Sequence, residues 1–352
     1  MDLKRSFENR RVMVIGDTGF KGSWLSLWLH ELGANVRGYA LPPVGEVNHF
    51  NLLGLGNLIE HFNGNIRDYD ALSTQIKRFQ PEIVFHLAAQ PLVRLSYRDP
   101  KLTFDTNVAG SLNVLEAVRH CDSIRSLVYV TSDKCYVNKE WVWGYRESDE
   151  LGGRDPYSAS KAAAELIFAS YMDSFFRKRD GFGAASVRAG NVIGGGDWAS
   201  DRLIPDIIKS LQNGVEISIR NPNSTRPWQH VLEPLSGYLT VAARMLKDPK
   251  EFSGAWNFGP ELHSTITVEK LTQNIIKAWG GGSFSIIPTD DGLHEATLLH
   301  LNCDKAKQLL SWSPKWGSNV TIKKTIDWYK AVHEGQPARN LTQQQILEYM
   351  ND

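Results

Sequence analysis

A phenol and an ammonium four residues apart are the first feature of this sequence that could do chemistry. Tyr157-Ser-Ala-Ser-Lys161 follows Asp155-Pro156, a pair that starts helices, and a spacing of four sets both side chains on one helical face. An ammonium beside a phenol favours the phenolate. The pair therefore predicts a tyrosine pKa drawn down towards neutrality and a base for the proton of a substrate hydroxyl. A second group of polar residues ends an apolar run, where Ser126-Leu-Val-Tyr-Val130 leads into Thr131-Ser132-Asp133-Lys134-Cys135-Tyr136. A hydroxyl, a carboxyl and an amine in succession can hold a hydroxyl and move protons around it.

Near the start, Arg11-Val-Met-Val-Ile15 runs into Gly16-Asp-Thr-Gly19-Phe-Lys-Gly22 and then the apolar Ser23-Trp-Leu-Ser-Leu-Trp-Leu29. Glycines three apart between a strand and a helix permit a tight turn and bring a pyrophosphate close to helix-terminal amides. Gly16, Thr18, Gly19, Phe20, Lys21 and Gly22 are thus the expected seat of a nicotinamide dinucleotide. NAD and NADP are told apart at the end of the second strand. Here Val36-Arg37-Gly38-Tyr39-Ala40 carries no acid for a ribose 2′-hydroxyl, and Arg37 could meet a 2′-phosphate, which leans towards NADP. A hydride acceptor near a tyrosine base is the combination that oxidises an alcohol.

These groups need a scaffold. Short β-branched runs at Arg11–Ile15, Asn35–Tyr39, Glu82–His86, Ser126–Val130 and Ala184–Arg188 alternate with helical patterns at about 20–32, 70–79, 102–120 and 157–177. Apolar strands at that spacing predict an α/β fold, a Rossmann-type doubly wound parallel sheet, with polar strand ends facing the cofactor crevice. Beyond about residue 190 the sequence loosens into Gly194-Gly-Gly-Asp-Trp198, Arg220-Asn-Pro-Asn-Ser-Thr-Arg-Pro-Trp228 and short helices. The expected division is a dinucleotide-binding domain over 1–190, to which some later segments return, and a smaller C-terminal substrate-binding lobe, mainly 191–352. A cleft should lie between them.

With 352 residues, 42% of them hydrophobic, and a net charge of zero, the chain can bury a large core and carries no global field to recruit nucleic acid or a membrane. The charged opening residues and the lack of any long apolar run make a cytoplasmic location the default expectation. Cys121, Cys135 and Cys303 are too scattered for a disulfide framework or a metal cluster, so no metal is expected.

Further segments complete a pattern: His86-Leu-Ala-Ala-Gln90, Asn107-Val-Ala-Gly-Ser-Leu-Asn-Val-Leu-Glu-Ala117, Arg188-Ala-Gly-Asn-Val192, Arg226-Pro-Trp-Gln-His-Val231 and Asn302-Cys-Asp-Lys305. Together they resemble the extended short-chain dehydrogenases that act on nucleotide sugars, and within these the sugar-nucleotide 4,6-dehydratases. The resemblance implies an internal hydride cycle on NAD, which returns to its starting state and so favours NAD over NADP. It implies cofactor contacts at Asn65, Ile66, Leu87, Ala88, Ala89 and Asn107 besides the glycine loop, Arg37, Tyr157 and Lys161. It also implies substrate contacts at Gln90, Arg94, Asn191, Arg202 and Arg226, the arginines suiting a diphosphate.

By the same resemblance Tyr157 takes the C4 hydroxyl proton with Ser132 and Lys161 in support, and Asp133 protonates the departing C6 hydroxyl. Lys134 stands where most such dehydratases carry a glutamate base. That departure, with Gln90-Pro-Leu-Val-Arg94 and Arg154-Asp-Pro-Tyr157, is similar to the members that use CDP-D-glucose for deoxysugars of surface polysaccharide, so CDP-glucose is the implied substrate. Lys134 is left as either a base or a cation over an enolate. Pro227 replaces the aspartate of the usual Arg-Asp-Trp triplet, and that residue's role is not transferred. The family habit of pairing helices implies a homodimer or dimer of dimers through 102–120 and 157–177. Two other readings stay open, a nucleotide-sugar 4-epimerase and a non-catalytic dinucleotide-binding regulator.

Overall fold

The computed structural model describes residues 2–261, 266–287 and 298–352, apart from the side chain of Arg226. In chain order the elements that matter are β1 (Arg11–Ile15), α1 (Phe20–Glu31), β2 (Asn35–Ala40), β3 (Glu60–Asn63), α2 (Tyr69–Phe79), β4 (Ile83–His86), α3 (Ser111–Arg119), β5 (Ser126–Val130), α4 (Pro156–Ser174), β6 (Gly183–Ala189), α5 (Leu203–Gln212), α6 (Leu232–Met245) and β7 (Gly254–Phe258). The seven strands form one sheet in the order β7-β6-β5-β4-β1-β2-β3, and every neighbouring pair is parallel. This is the doubly wound Rossmann-type sheet expected from the alternation of strands and helices.

The strand order reverses between β1 and β4, which opens a crevice at their carboxyl ends. The Gly16 loop leaves β1 there, and Leu87 and Ala88 leave β4 there, their amides donating to the Ile15 carbonyl at 2.8 and 2.9 Å. One face of the sheet packs on α1 and α6 through Trp24, Trp28, Leu235 and Leu239. The other packs on α2, α3 and α4 through Leu72, Ile76, Leu115 and Phe168. A third core gathers Ile204, Ile207, Ile217, Ile219, Leu271 and Trp328, from α5 onward in the chain.

Two strands of this sheet were not expected. β3 reads Glu-His-Phe-Asn and is only half-buried, so it lacks the apolar run by which its neighbours declare themselves. β7 comes from beyond residue 190, where it adds to the sheet beside β6 with Trp256 opposite Val187. The helix expected over 102–120 is continuous in direction but not in kind, because a π-helical turn at Asp105–Gly110 joins Pro100–Phe104 to α3.

A buried ion pair locks α4 to the sheet. Arg188 on β6 donates from Nε and Nη2 to the Glu165 carboxylate on α4 at 3.0 and 2.8 Å, with both side chains at most 3% exposed. Ser186 on β6 bonds the same carboxylate at 2.8 Å, and so does Thr131 at the end of β5. The Arg188 guanidinium also donates to the Tyr136 hydroxyl at 2.6 Å. Removing one partner of such a pair strands a charge away from water. Glu165→Ala is therefore expected to lower unfolding stability by about 3–5 kcal/mol, read as a fall in the urea midpoint.

Candidate active site

The strand end and the helix start meet as their sequences require. Ser132 has extended backbone and its hydroxyl caps the turn Asp133–Cys135. Asp155 caps α4, accepting from the Ser158 amide at 3.0 Å, with Pro156 in the first turn. Tyr157 and Lys161 lie on one face of α4, and both are buried. The Ser132 hydroxyl is close enough to the Tyr157 phenol to lower its pKa and lies 3.0 Å from Asp133 Oδ1. Lys134 Nζ stands 4.0 Å from the same oxygen. Ser132, Asp133, Lys134 and Tyr157 border a cleft of about 820 Å³ whose other walls include Phe20, Lys21, Arg94, Asn191 and Arg202. That volume suits a substrate with several linked parts, since small-molecule sites span roughly 300–1,000 Å³.

The electrostatics correct one expectation. Burial pushes the Tyr157 phenol up to about 12, with the Ser132 hydrogen bond working against it. The phenol is thus harder, not easier, to ionise than an ordinary tyrosine, because desolvation outweighs any help from neighbouring cations. The amines move the other way. Burial, and then the ammonium of Lys21, bring Lys161 down to about 8, while burial and the Arg202 guanidinium bring Lys21 to about 8.

The glycine loop is built to sit close to something. Gly16 holds φ at +101°, and a Cβ there would lie 2.6 Å from the Ala88 amide nitrogen. At Gly22 a Cβ would lie 1.9 Å from the Gly16 carbonyl oxygen. Gly19 caps α1 without any side-chain hydrogen bond to its first-turn amides, which leaves that helix end suited to an anion. Thr18 Oγ1 ties the loop to the Leu41 carbonyl at 2.9 Å. A dinucleotide pyrophosphate fits these residues.

Around the loop the expected contacts divide. Asn65 accepts from the Arg67 amide at 3.0 Å, Ile66 is buried in the core under α3, and Ala89 follows Ala88 at the crevice. Asn107 is a strut: its side chain bonds the Gln90 backbone at 2.7 and 3.1 Å and Ser160 of α4 at 2.9 Å. Gln90 does not reach the cleft as a substrate ligand. Its amide is taken up by Thr103 at 2.8 Å and by both backbone groups of Leu92, so it shapes the turn after β4.

Arg37 also departs from expectation. Its Nε donates to Glu60 on β3 at 2.8 Å, and its guanidinium lies over the Phe79 and Phe62 rings at 4.3 and 5.1 Å. Register decides this, for Arg37 pairs directly with Glu60 and lies short of the strand end. Arg37 is therefore taken up by Glu60 and gives no support to NADP. What the sequence reading passed over is Asp17, wholly buried inside the glycine loop, with an oxygen 2.7 Å from His61 Nδ1. An acidic residue directly after the first glycine was the available signal.

Towards the third core, Arg202 is ion-paired to Asp197 at 2.7 Å, and Asn191 and Arg94 border the same cleft. The strand Thr225–Arg226 pairs with Ile266–Thr267, but the Arg226 side chain falls outside the described residues. His86 is a core histidine, 2.9 Å from the Ser111 hydroxyl and brought to about 3 by burial. Trp141 packs on the Tyr145 ring and Trp198 on Tyr329. Among the described residues no group of His, Cys, Asp and Glu could hold a metal ion, and no helix is long and apolar enough to cross a membrane.

A parallel sheet opened at the β1/β4 crevice, a glycine loop leading into α1, and a Tyr-x-x-x-Lys helix facing a serine at a strand end define an extended short-chain dehydrogenase/reductase. More narrowly, the chain belongs to the family described as GDP-mannose 4,6 dehydratase, which matches residues 13–325. It is 49% identical to the CDP-glucose 4,6-dehydratase of Salmonella typhimurium, over 99% of this chain and 98% of that protein. Solved structures share the fold: the epimerase Mth375 of Methanothermobacter thermautotrophicus covers 95% of this chain and 96% of its own, with a TM-score of 0.80 and 23% identity. The dTDP-glucose 4,6-dehydratase of Bacillus anthracis, a complex with NAD, covers 94% and 99%, with a TM-score of 0.76 and 21% identity.

Because a side chain at Gly22 would collide with backbone, Gly22→Ala must displace the loop. Calorimetric titration with ADP-ribose should find affinity at least about tenfold weaker, a loss of about 1.4 kcal/mol.

Proposed function

We propose that this protein dehydrates CDP-D-glucose to CDP-4-keto-6-deoxy-D-glucose with NAD as resident cofactor, supplying deoxysugars for surface polysaccharide. The observation that carries the reading is the presence of a carboxyl acid, Asp133, in the same cleft as the Tyr157–Ser132 pair. Oxidation at C4 needs only the pair, whereas expulsion of the C6 hydroxyl needs an acid as well. A nucleotide-sugar epimerase has no such step, and a binding regulator needs neither. The 49% identity to a CDP-glucose 4,6-dehydratase over nearly both whole chains supports the same substrate.

The Gly16–Gly22 loop would hold NAD, which when bound would supply the hydride acceptor for C4 and the hydride donor for C6, a proton returning to C5 as the C5–C6 double bond is saturated. The chain's own residues manage the protons. Tyr157, as phenolate, takes the proton of the C4 hydroxyl, which the Ser132 hydroxyl holds in place. Lys161, one turn along α4, and Arg202, whose charge already lowers the Tyr157 pKa, stand against the cost of ionising a buried phenol. The resulting C4 ketone makes the C5 proton acidic. Asp133 gives its proton to the C6 oxygen, water departs, and a double bond forms between C5 and C6. Lys134 Nζ, 4.0 Å from Asp133 Oδ1, stabilises the enolate and orients the water that takes the C5 proton. Asn191, Arg94, Arg202 and Arg226 provide the amide and guanidinium groups for the diphosphate. The helical faces of 102–120 and 157–177 form the contact of a homodimer or a dimer of dimers.

The test is to supply NAD with CDP-glucose, dTDP-glucose, GDP-mannose or UDP-glucose and follow the alkali-induced absorbance of a 4-keto-6-deoxy sugar. Signal with CDP-glucose alone is expected. Its absence with every sugar, alongside C4 epimer from UDP-glucose, overturns the reading. Tyr157→Phe should lower turnover by about 10²–10⁴-fold, the usual worth of a positioned proton acceptor. Lys134→Ala should slow dehydration yet retain C5 proton exchange with solvent, and loss of that exchange would make Lys134 the base.

A further inference from the structure

Asp17 and His61 are not used by the proposed reaction, yet they sit directly under the loop on which it depends. The Asp17 carboxylate is wholly buried, folded back from the second position of the glycine loop onto the sheet. Its Oδ2 meets His61 Nδ1 at 2.7 Å, and the space is cleared by Gly38, where a Cβ would lie 1.9 Å from the same oxygen. His61 Nε2 reaches Asn63 Oδ1 at 3.1 Å, and the Phe50 ring packs against the imidazole with centroids 5.0 Å apart.

We propose that Asp17 and His61 are positioning residues for the cofactor loop: a buried, proton-dependent ion pair that holds the loop in shape and keeps it electrically neutral where a dinucleotide pyrophosphate must lie. This rests on the reading that the Gly16–Gly22 loop holds NAD. When the imidazole is protonated, the pair has no net charge. When it is neutral, a buried carboxylate is left without a counter-ion beside an anionic ligand, and both the loop and the ligand are destabilised.

The sign follows from the two groups. Burial pulls the His61 pKa down, but the hydrogen bond and charge of Asp17, helped by Asn63, outweigh it and hold it above the ordinary histidine value. Burial raises Asp17, and His61 only partly offsets this. Both shifts are upward, so the stabilising form is complete below the ordinary histidine range and is lost as pH rises through the raised His61 value. The groups facing the pair are Gly38 and Thr18, Asn63 on β3 and the Phe50 ring. The Arg37–Glu60 ion pair occupies the neighbouring register position. Lys21 and Lys161 titrate across the cleft, and a variant at residue 17 retains them.

Wild type and Asp17→Asn are titrated with NAD⁺ by calorimetry from about pH 6 to about pH 9. The wild-type dissociation constant, divided by that of the variant at each pH, is expected to rise about tenfold across the range, as one lost unit of coupling requires. His61→Gln, which leaves the carboxylate unpaired throughout, should bind weakly at low pH as well and serves if Asp17→Asn does not fold. Parallel wild-type and variant curves with normal binding overturn the brace and leave the dehydratase reading standing. No NAD⁺ binding at any pH overturns the cofactor reading and the brace with it.

Discussion

The site depends first on the Arg188–Glu165 ion pair. Tyr157 and Glu165 lie eight residues apart on α4, about 12 Å along the helix axis, so whatever fixes Glu165 fixes how the helix is rotated about its axis. Glu165 accepts from Arg188, Ser186 and Thr131 together, which pins α4 to the adjacent strands β5 and β6. Thr131 directly precedes Ser132. The placement of the serine hydroxyl against the phenol is thus set by Glu165, Arg188, Ser186 and Thr131, none of which lines the cleft. A buried charge pair is tolerable only when its remaining donors and acceptors are satisfied. Arg188 meets that condition through Tyr136, itself bonded to Asn257 on β7 at 2.8 Å. The seventh strand thereby becomes part of the catalytic scaffold.

In this chain of zero net charge the cleft is lined by six basic and six acidic side chains, and what sets the site apart is how closely two amines and a guanidinium stand to one another. The Arg202 guanidinium lowers Lys21, and the Lys21 ammonium lowers Lys161, with Asp133 and Asp197 opposing at Lys21 and Glu165 at Lys161. Crowding and burial hold both amines below an ordinary lysine. A ligand carrying two phosphates supplies the negative charge they lack, and each charged amine is favoured by it in turn. These cations therefore act through their placement beside one another and not through any net charge of the cleft.

The parts of this arrangement that were legible in the sequence are local ones. Tyr157 and Lys161 share a helical face because of their spacing, and the glycine loop follows a strand and opens a helix because its residues permit little else. β1, β4, β5 and β6 are buried on both faces and read as apolar runs. What was hidden depends on pairing between distant segments. Arg37 looked like a phosphate ligand because β3, whose Glu60 claims it, is a short polar edge strand with no pattern of its own. Gln90 was a substrate contact by resemblance only, and its partner Thr103 lies 13 residues on, in the helix Pro100–Phe104, where no local pattern links the two. The direction of the Tyr157 shift was misjudged for a related reason, since spacing shows the neighbouring ammonium but not the depth of burial that outweighs it.

Two oddities of the sequence turn out to be one. The end of β2 lacks the acid that commonly meets an adenosine ribose, and the glycine loop carries an acid where only backbone is needed. In the folded chain the Asp17 carboxylate fills the volume above Gly38, so a side chain on that stretch of β2 and a carboxylate in the loop exclude each other. His61, opposite Gly38 in the β2–β3 register, supplies the charge that makes the buried acid tolerable. Glycine in β2, acid in the loop and histidine in β3 form a single packing solution, in which changing one member alone leaves either a steric collision or an uncompensated charge. Polar β3, the least conspicuous strand in the sequence, is therefore tied to the shape of the loop most easily recognised in it.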